Sequence, residues 1–494
     1  MKAAAWDDPL LRDFHPTLVD AEREWSMVSR LSGARAQALV DDFPVAAAMV
    51  RARLLATLGS EGLQFRSLYQ SDDQPDTDQD EEQTRRDIER VIRSASRWID
   101  AGARLSRRQV EKQIRQTAII RGDGFAIRVL QDDRPQSPIE HAWRQIPPER
   151  ICNPPTGGSM WASIGCVTIP GRGVNAGRKI VDGIEFDSKG RRVALHYLLE
   201  SVTAAGIYIP GGKTVRIPWY APDGTPNVLH ATGMLRPGAA RGITEFAPII
   251  LDGRLLQSLG IAYVASKRVH ASHPMLLKVD DIAAARKAYT GTAFANLLIG
   301  RDHDVTMNQV QFAGADYREF FDVGLRSLTS VWGMPYELVL GDHSAKSGAS
   351  SRSLWQQFYM NADEWQSEHV DEVTGVIDSA IIREAVARRM LSLSDNWQRN
   401  MLGRYKRPPR IMPDPLKEAQ AGAAWVALGV SKTSIFADAG WDHGDETMQR
   451  HQDRMLEDAQ GSDEPGEPEA PDQQGEPEEQ PQEQEQPEEE PANV

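Results

Sequence analysis

Apolar residues along this chain follow two different periods, and the change of period divides it. Residues 35–57, ARAQALVDDFPVAAAMVRARLLA, repeat at helical spacing. RRDIERVIRSASRWIDAG and RRQVEKQIRQTAII do the same, so a helical reading extends over residues 85–128. From about Gly124 to His230 the pattern turns into short β-rich runs bounded by Gly and Pro, which predicts a β-rich subdomain. Within it GIEFDSKGRRVALHYLL, residues 183–199, has the outline of a hairpin turning at Asp187-Ser188-Lys189-Gly190.

Three helical segments follow. The first, residues 248–270, carries Leu251, Leu255, Leu259 and Ala262 at helical spacing and stops before Pro274. The second opens at Asp316 as N-cap with Glu319 three residues later, and places Phe321, Leu325, Leu328 and Trp332 on one face. It ends at Gly333, with Pro335 just beyond. The third starts near Ser353, with Gln356 in the capping-box position, and reaches about Arg389 with Gly375 as its only helix breaker. At 1.5 Å per residue that is about 55 Å, longer than a domain core of its own requires. Trp355, Phe358, Trp365, Val373, Ile377 and Ile381 form its apolar side, opposite Glu364, Glu368 and Asp371. Between the second and third helices lies GMPYELVLGDHSAKSGASSRSLW, a polar connector with one lysine, Lys346, and no material for a core. The fold class is α+β.

Charge changes this picture at two places. Of the net −15, −13 lies in residues 463–490, a Glu/Gln/Pro stretch without a Lys, Arg or aromatic residue. Residues 461–494 are therefore expected to be a disordered acidic tail. A second acidic run, SDDQPDTDQDEE at residues 71–82, is expected to be an exposed loop. Without these two segments the body is slightly basic. Cys152 and Cys166 are the only cysteines and sit in no CxxC or His-rich setting, which argues against a disulfide framework or a zinc site. No apolar run approaches the roughly 20 residues of a membrane span, and the N-terminus does not read as a secretion signal.

Motifs of enzyme chemistry fail on spacing. IPGGKTVRIP, residues 209–218, ends like a phosphate-binding loop, but the position that needs Gly is Ile207 and the next element reads as extended. GRGVNAGRK, residues 171–179, misses the dinucleotide spacing and reads as a basic loop. His369 and Glu372 are three residues apart, as some metal ligands are, yet a single His without a second ligand pair belongs on a solvated helix face. Neither a cofactor nor a catalytic residue is indicated.

Five blocks in order carry a resemblance to a known family: IPPERICNP, GIEFDSKGRRVALHY, VLHATGMLRPGAARGITEFAP, VWGMPYELVLGDHSAKSGASSRSLW and AGWDHGDETMQRHQDRM. Together with the helix, loop, long-helix order they resemble portal proteins of tailed bacteriophages, of the lambda type, over about residues 35–456. The resemblance implies a dodecameric ring at one capsid vertex of the virion, assembled in the host bacterial cytoplasm. The ring is a channel for packaging, retention and ejection of double-stranded DNA without sequence preference. Its implied partners are the terminase large subunit, the major capsid protein and a head-tail adaptor, with no membrane. Mapped onto this chain, it implies a wing over residues 1–247 and stem helices at 248–271 and 316–332 with a clip, 272–315, between them. A tunnel loop follows at 333–352, then a channel-lining helix at 353–390 and C-terminal wing and crown helices at 391–460. Asp342, His343, Ser344, Lys346, Ser347 and Arg352 would then face DNA. Two other classes remain: a different capsid-associated adaptor or scaffold, and a nucleic-acid enzyme of the packaging motor.

Overall fold

The computed structural model describes residues 20–70, 78–131, 133–154, 166–168, 178–199, 214–233, 236–272, 277–279, 298–300, 314–341, 348–394, 396–401, 403–408, 410, 415–432, 435, 450 and 454. The chain divides into two compact units, Met1–Trp441 and Asp442–Val494, and of the second only residues 450 and 454 are described. The acidic tail therefore lies outside the described residues.

The first periodic segment is two helices, α1 (Ala21–Asp42) and α2 (Pro44–Leu58), because Pro44 has no N–H to continue the ladder and Phe43 takes an extended backbone. A short strand, β1 (Gln64–Ser67), leads towards α3 (Asp78–Ala95). The expected acidic loop at 71–82 is thus helical from Asp78. Ion pairs one turn apart, Glu81 with Arg85 and Glu82 with Arg86, favour the helix, as do acids near its N-terminus. Helix α4 (Arg107–Arg121) starts at a capping box made by Ser106 and Gln109 and stops at Gly122, whose φ of 97° is left-handed. That stop ends the helical reading before residue 128, and β2 (Asp123–Leu130) follows directly.

Strands β3 (His141–Ile146), β4 (Cys166–Thr168), β5 (Lys179–Val181), β6 (Ile184–Phe186), β7 (Arg192–Leu198), β8 (Thr214–Pro218) and β9 (Val228–Thr232) complete the β region. They form two antiparallel sheets, in the orders β3-β2-β9 and β4-β5-β6-β7-β8. The expected hairpin is β6–β7. Its turn closes because the Asp187 carboxylate accepts from the Lys189 and Arg191 amides and Gly190 adopts φ 76°. Phe125, Ile127 and Ile146 of the first sheet pack on Ile184, Leu195 and Trp219 at the second.

Helix α5 (Ile250–Ser272) is followed by a parallel pair, β10 (Leu277–Val279) with β11 (Leu298–Gly300), and by α6 (Gly314–Ser330). α6 takes helical backbone two residues before the expected cap at Asp316. It runs antiparallel to α5: Tyr263 stacks on Tyr317 at 3.9 Å, while Leu256 fills the space over Gly324. The one-turn helix α7 (Tyr336–Leu340) precedes α8 (Gly348–His369), a π-helical turn at Val370–Thr374 and α9 (Gly375–Ala387). α8 begins five residues before Ser353, which lies inside the helix and does not cap it. Its apolar side is as expected: Phe358, Trp365, Val373, Ile377 and Ile381 are buried and Glu364, Glu368 and Asp371 exposed. The short α10 (Trp397–Asn400), β12 (Gly403–Lys406), which pairs with β1, and α11 (Pro415–Ala427) end the described chain.

Two helical cores flank the sheets. One joins α3, α4 and α9 to the inner side of β2, β3 and β9; the other joins α1, α2, α6 and α8. The leucine stripe of α5 is reversed with respect to a core. Leu251 and Leu255 stay 69% and 59% exposed, and the helix buries Gly253 and Leu256 against α1 and α6.

Candidate functional site

The polar connector between α6 and α8 is anchored at its first end. There α6 gives way to a turn in which the Gly333 and Met334 amides donate to Ser330 and Thr329 carbonyls. Gly333 holds φ 55° and its carbonyl accepts from Asn361 Nδ2 of α8 at 3.2 Å. A Cβ there would lie 2.3 Å from that amide nitrogen and would displace the Asn361 side chain, and the left-handed φ favours glycine at this turn. Pro335 and α7 come next, and Gly341 ends α7 in the left-handed region. The connector therefore narrows from the expected 333–352 to residues 341–347, because α7 and the first turn of α8 take up the rest. Asp342, His343, Ser344, Lys346 and Ser347 lie outside the described residues. Arg352 falls on α8 rather than on the loop, and its side chain is outside the description.

Beneath the anchor, Arg53 of α2 is buried between two indole rings, 5.3 Å from the Trp332 centroid and 4.4 Å from that of Trp365. Its Nη2 donates to Glu245 Oε1 at 2.9 Å. Burial lowers the pKa of Arg53 and raises that of Glu245, and the attraction between them opposes both shifts. Sequence reading missed this group. Its only signal was a cation, Arg53, in the apolar stretch VAAAMVRARLLA.

Glu245 belongs to ARGITEF, residues 240–246, which works as a strap across the elements. Arg241 Nε and the Gly242 amide donate to the buried Asp123 carboxylate at the start of β2, both at 2.9 Å. His230 of β9 meets the same carboxylate through Nε2 at 2.8 Å and stacks on Phe125. The Arg241 guanidinium also lies 4.5 Å from the Trp25 ring, whose Nε1 donates to the Gly242 carbonyl. Thr244 and Glu245 bond to the Ile119 carbonyl of α4, and Phe246 meets Trp332 edge-on. Burial alone would raise the pKa of Asp123; the Arg241 and His230 contacts hold it below the usual range. The His, Arg and Gly of the sequence block are thus a structural knot, and among the described residues no nucleophile bonds to the Asp123–His230 pair.

His369 and Glu372 are not on a solvated face. His369 is fully buried, and its Nδ1 accepts from Arg115 Nε at 3.2 Å. Arg115 also donates to Glu372 at 2.8 Å, and Glu372 accepts from the amide and hydroxyl of Thr232. Arg107 bridges Glu111 and Asp378, and Tyr405 donates to Asp378. Burial lowers the pKa of His369, against the pull of Glu111. The π turn at 370–374 lies between His369 and Asp378, both aimed inward.

The remaining candidates give no chemistry. Residues 211–213 of GGKT and 171–177 of the basic loop are outside the described residues, while Thr214–Pro218 is strand β8 and not a helix facing phosphates. Cys152 is buried, and burial pushes its thiol up to about 11. Among the described residues no cluster of His, Cys, Asp and Glu is arranged to hold a metal, and no helix is long and apolar enough to cross a membrane. An open groove of about 560 Å³ runs beside the loop anchor, walled by Leu55, Leu338, Trp355, Tyr359 and Arg410.

Compared with known proteins, residues 7–366 match the family model for phage portal proteins of the lambda family. Among solved structures, the neck of a native GTA particle computed with C12 symmetry is 13% identical, covering 85% of this chain and 98% of that one at a TM-score of 0.42. The neck of an empty GTA particle computed with C6 symmetry is also 13% identical, over 83% and 94%, at 0.41. A chain from the virion of a native gene transfer agent particle, again 13% identical, covers 76% and 97% at 0.36.

Proposed function

The chain belongs to the lambda family of phage portal proteins, structural parts of a phage-like capsid, and from that premise we propose that twelve copies close into a ring that conducts double-stranded DNA. The observation that carries the ring is a set of large apolar side chains on the α5–α6 pair that the described residues leave uncovered. Leu251, Leu255, Ile261 and Val264 of α5 and Phe320 and Val323 of α6 are each 58–69% exposed on two helices already packed together. A stripe of that size on one chain is a surface for another copy. A contact repeated head to tail closes into a ring when its rotation divides the circle.

In this reading α5 and α6 are the stem, residues 273–313 the clip, and the helices and sheets before α5 the wing. Residues 341–347 hang inward as the tunnel loop. Twelvefold repetition turns Lys346, and Arg352 at the top of α8, into collars of positive charge. Such collars hold phosphates without reading bases and release them easily enough for sliding. Asp342, His343, Ser344 and Ser347 complete a small polar rim with nothing to snag a base. The terminase, the major capsid protein and the head-tail adaptor then meet the outer parts of the ring.

Two measurements test this. Twelve chains of 54.9 kDa give about 659 kDa by mass photometry, and a stable monomer or dimer under every condition tried would sink the ring. In phage carrying Lys346→Glu the ring is expected to form but packaged DNA to fall, most at low ionic strength where repulsion is least screened. Full-length genomes at wild-type yield across the salt range would remove the loop from the DNA path.

A further inference from the structure

The turn that leads from α6 into α7 and the helix α8 are held together at one point by a nearly buried charge. Trp332 lies in the turn that follows α6, immediately before Gly333. Trp365 lies on α8, one turn beyond Asn361, which bonds the Gly333 carbonyl. Arg53 occupies the space between the two indoles with its side chain 7% exposed, and Glu245, 10% exposed, is its ion-pair partner. Phe246 and Phe358 close the ring wall edge-on, at 5.1 Å from Trp332 and 6.0 Å from Trp365. The groups nearest the cation are thus one carboxylate and two aromatic rings, and the Arg115 cation and the Glu368 and Glu364 carboxylates of α8 also act on it.

We infer that Arg53 is a positioning residue for DNA handling: by cation–π contact with Trp332 and Trp365 at once, it fixes the spacing of α8 and the turn that leads from α6 into α7, the two sides from which the connector departs. A guanidinium is planar and stacks on both faces while its edge stays free for Glu245. Were the two sides to part by the width of a water molecule, the cation would lose a ring on one side and remain buried with one partner, so the separated state is disfavoured. Glu245 ties this point to the strap at 241–246 and hence to Asp123 and the β sheets. The turn at Gly333 and the helix α8 are thereby tied to the strap and not only to each other. This inference rests on the channel reading only for its consequence in DNA; the clamp itself is tested without DNA.

The experiment uses the full-length assembled protein and compares wild type with Arg53→Met, with Glu245→Gln and with the exchanged pair Arg53→Glu/Glu245→Arg. Amide hydrogen exchange is read over residues 330–340 and 358–366, with residues 192–198 of β7 as a remote reference. For Arg53→Met exchange is expected to rise tenfold or more in the first two segments and to stay unchanged in the third, with less DNA packaged per particle. Glu245→Gln leaves the cation between the rings and should give a rise of threefold or less. The exchanged pair keeps an ion pair but puts an anion between two aromatic faces, so it is expected to be as loose as Arg53→Met. Recovery of wild-type exchange in the exchanged pair would assign Arg53 to an ordinary ion pair, and unchanged exchange in Arg53→Met, or an equal rise in β7, would overturn the clamp. Lys346→Glu, run alongside, separates the two readings. Normal exchange and normal packaging in that variant would sink the DNA-facing loop and leave the clamp standing.

Discussion

Gly242 illustrates how one backbone position can hold several elements. Its amide donates to Asp123, its carbonyl accepts from Trp25, and a Cβ would lie 2.3 Å from the Gly122 carbonyl and 3.0 Å from the Gly233 amide. All of these neighbours are fixed, since Gly122 is the left-handed stop of α4 and its carbonyl accepts from Gly233. A methyl there cannot be accommodated by rotating a side chain. Gly242→Ala is therefore expected to lower stability by at least about 2 kcal/mol, read as a reduced denaturation midpoint. At this scale the sequence showed that the Arg-Gly pair mattered but not how. The partner carboxylate, Asp123, is more than a hundred residues away at the start of a strand, and spacing alone does not bring it near.

Among the elements, the five-stranded sheet depends on a single buried acid. Glu185 of β6 is fully buried and accepts from Arg216 at 2.7 and 3.1 Å, from Arg178 at 2.8 Å and from His196 at 3.1 Å. Burial alone would raise its pKa, but the hydrogen bonds from Arg216, Arg178 and His196 outweigh it and hold the carboxyl at about 2. A folded-state pKa below the unfolded one means that this group stabilises the fold above about pH 4.5. That contribution is lost as pH falls from there towards 2. Acid titration followed by hydrogen exchange in β7 should show protection falling over that window, with Glu185→Gln giving a shallower fall from a lower starting stability. The hairpin β6–β7 was legible because its turn chemistry is local. The acid at its centre was not, because Arg216 reaches it from β8 and Arg178 from the residue before β5.

For the whole molecule, the exposed side of α5–α6 is the feature that one chain leaves unfinished. Leu255→Glu puts a charge on that stripe without touching Leu256, the side chain that α5 buries against α6. It is expected to leave the monomer folded by circular dichroism and to abolish the 659 kDa species; an unchanged ring mass would move the interface elsewhere. Deleting residues 461–494 should leave the ring intact, since 13 acids without one aromatic residue have little to bury. Loss of assembly in the truncated protein would make the tail a structural element.

Local patterns needed no tertiary information. The helical period from Trp355 to Ile381, the apolar face from Phe321 to Trp332 and the turn at 187–190 follow from hydrogen bonding and side-chain spacing within a few residues. The five ordered blocks likewise identified the family. Only the folded chain decided which face of α5 is covered, that α8 starts at Gly348, that His369 is buried, and that Arg53 is a clamp and not a surface charge. The physical reason is common to these cases. Burial is a property of whatever packs on a side chain, and the groups that cover Arg53, Trp332 and Trp365, come from roughly three hundred residues further along the chain.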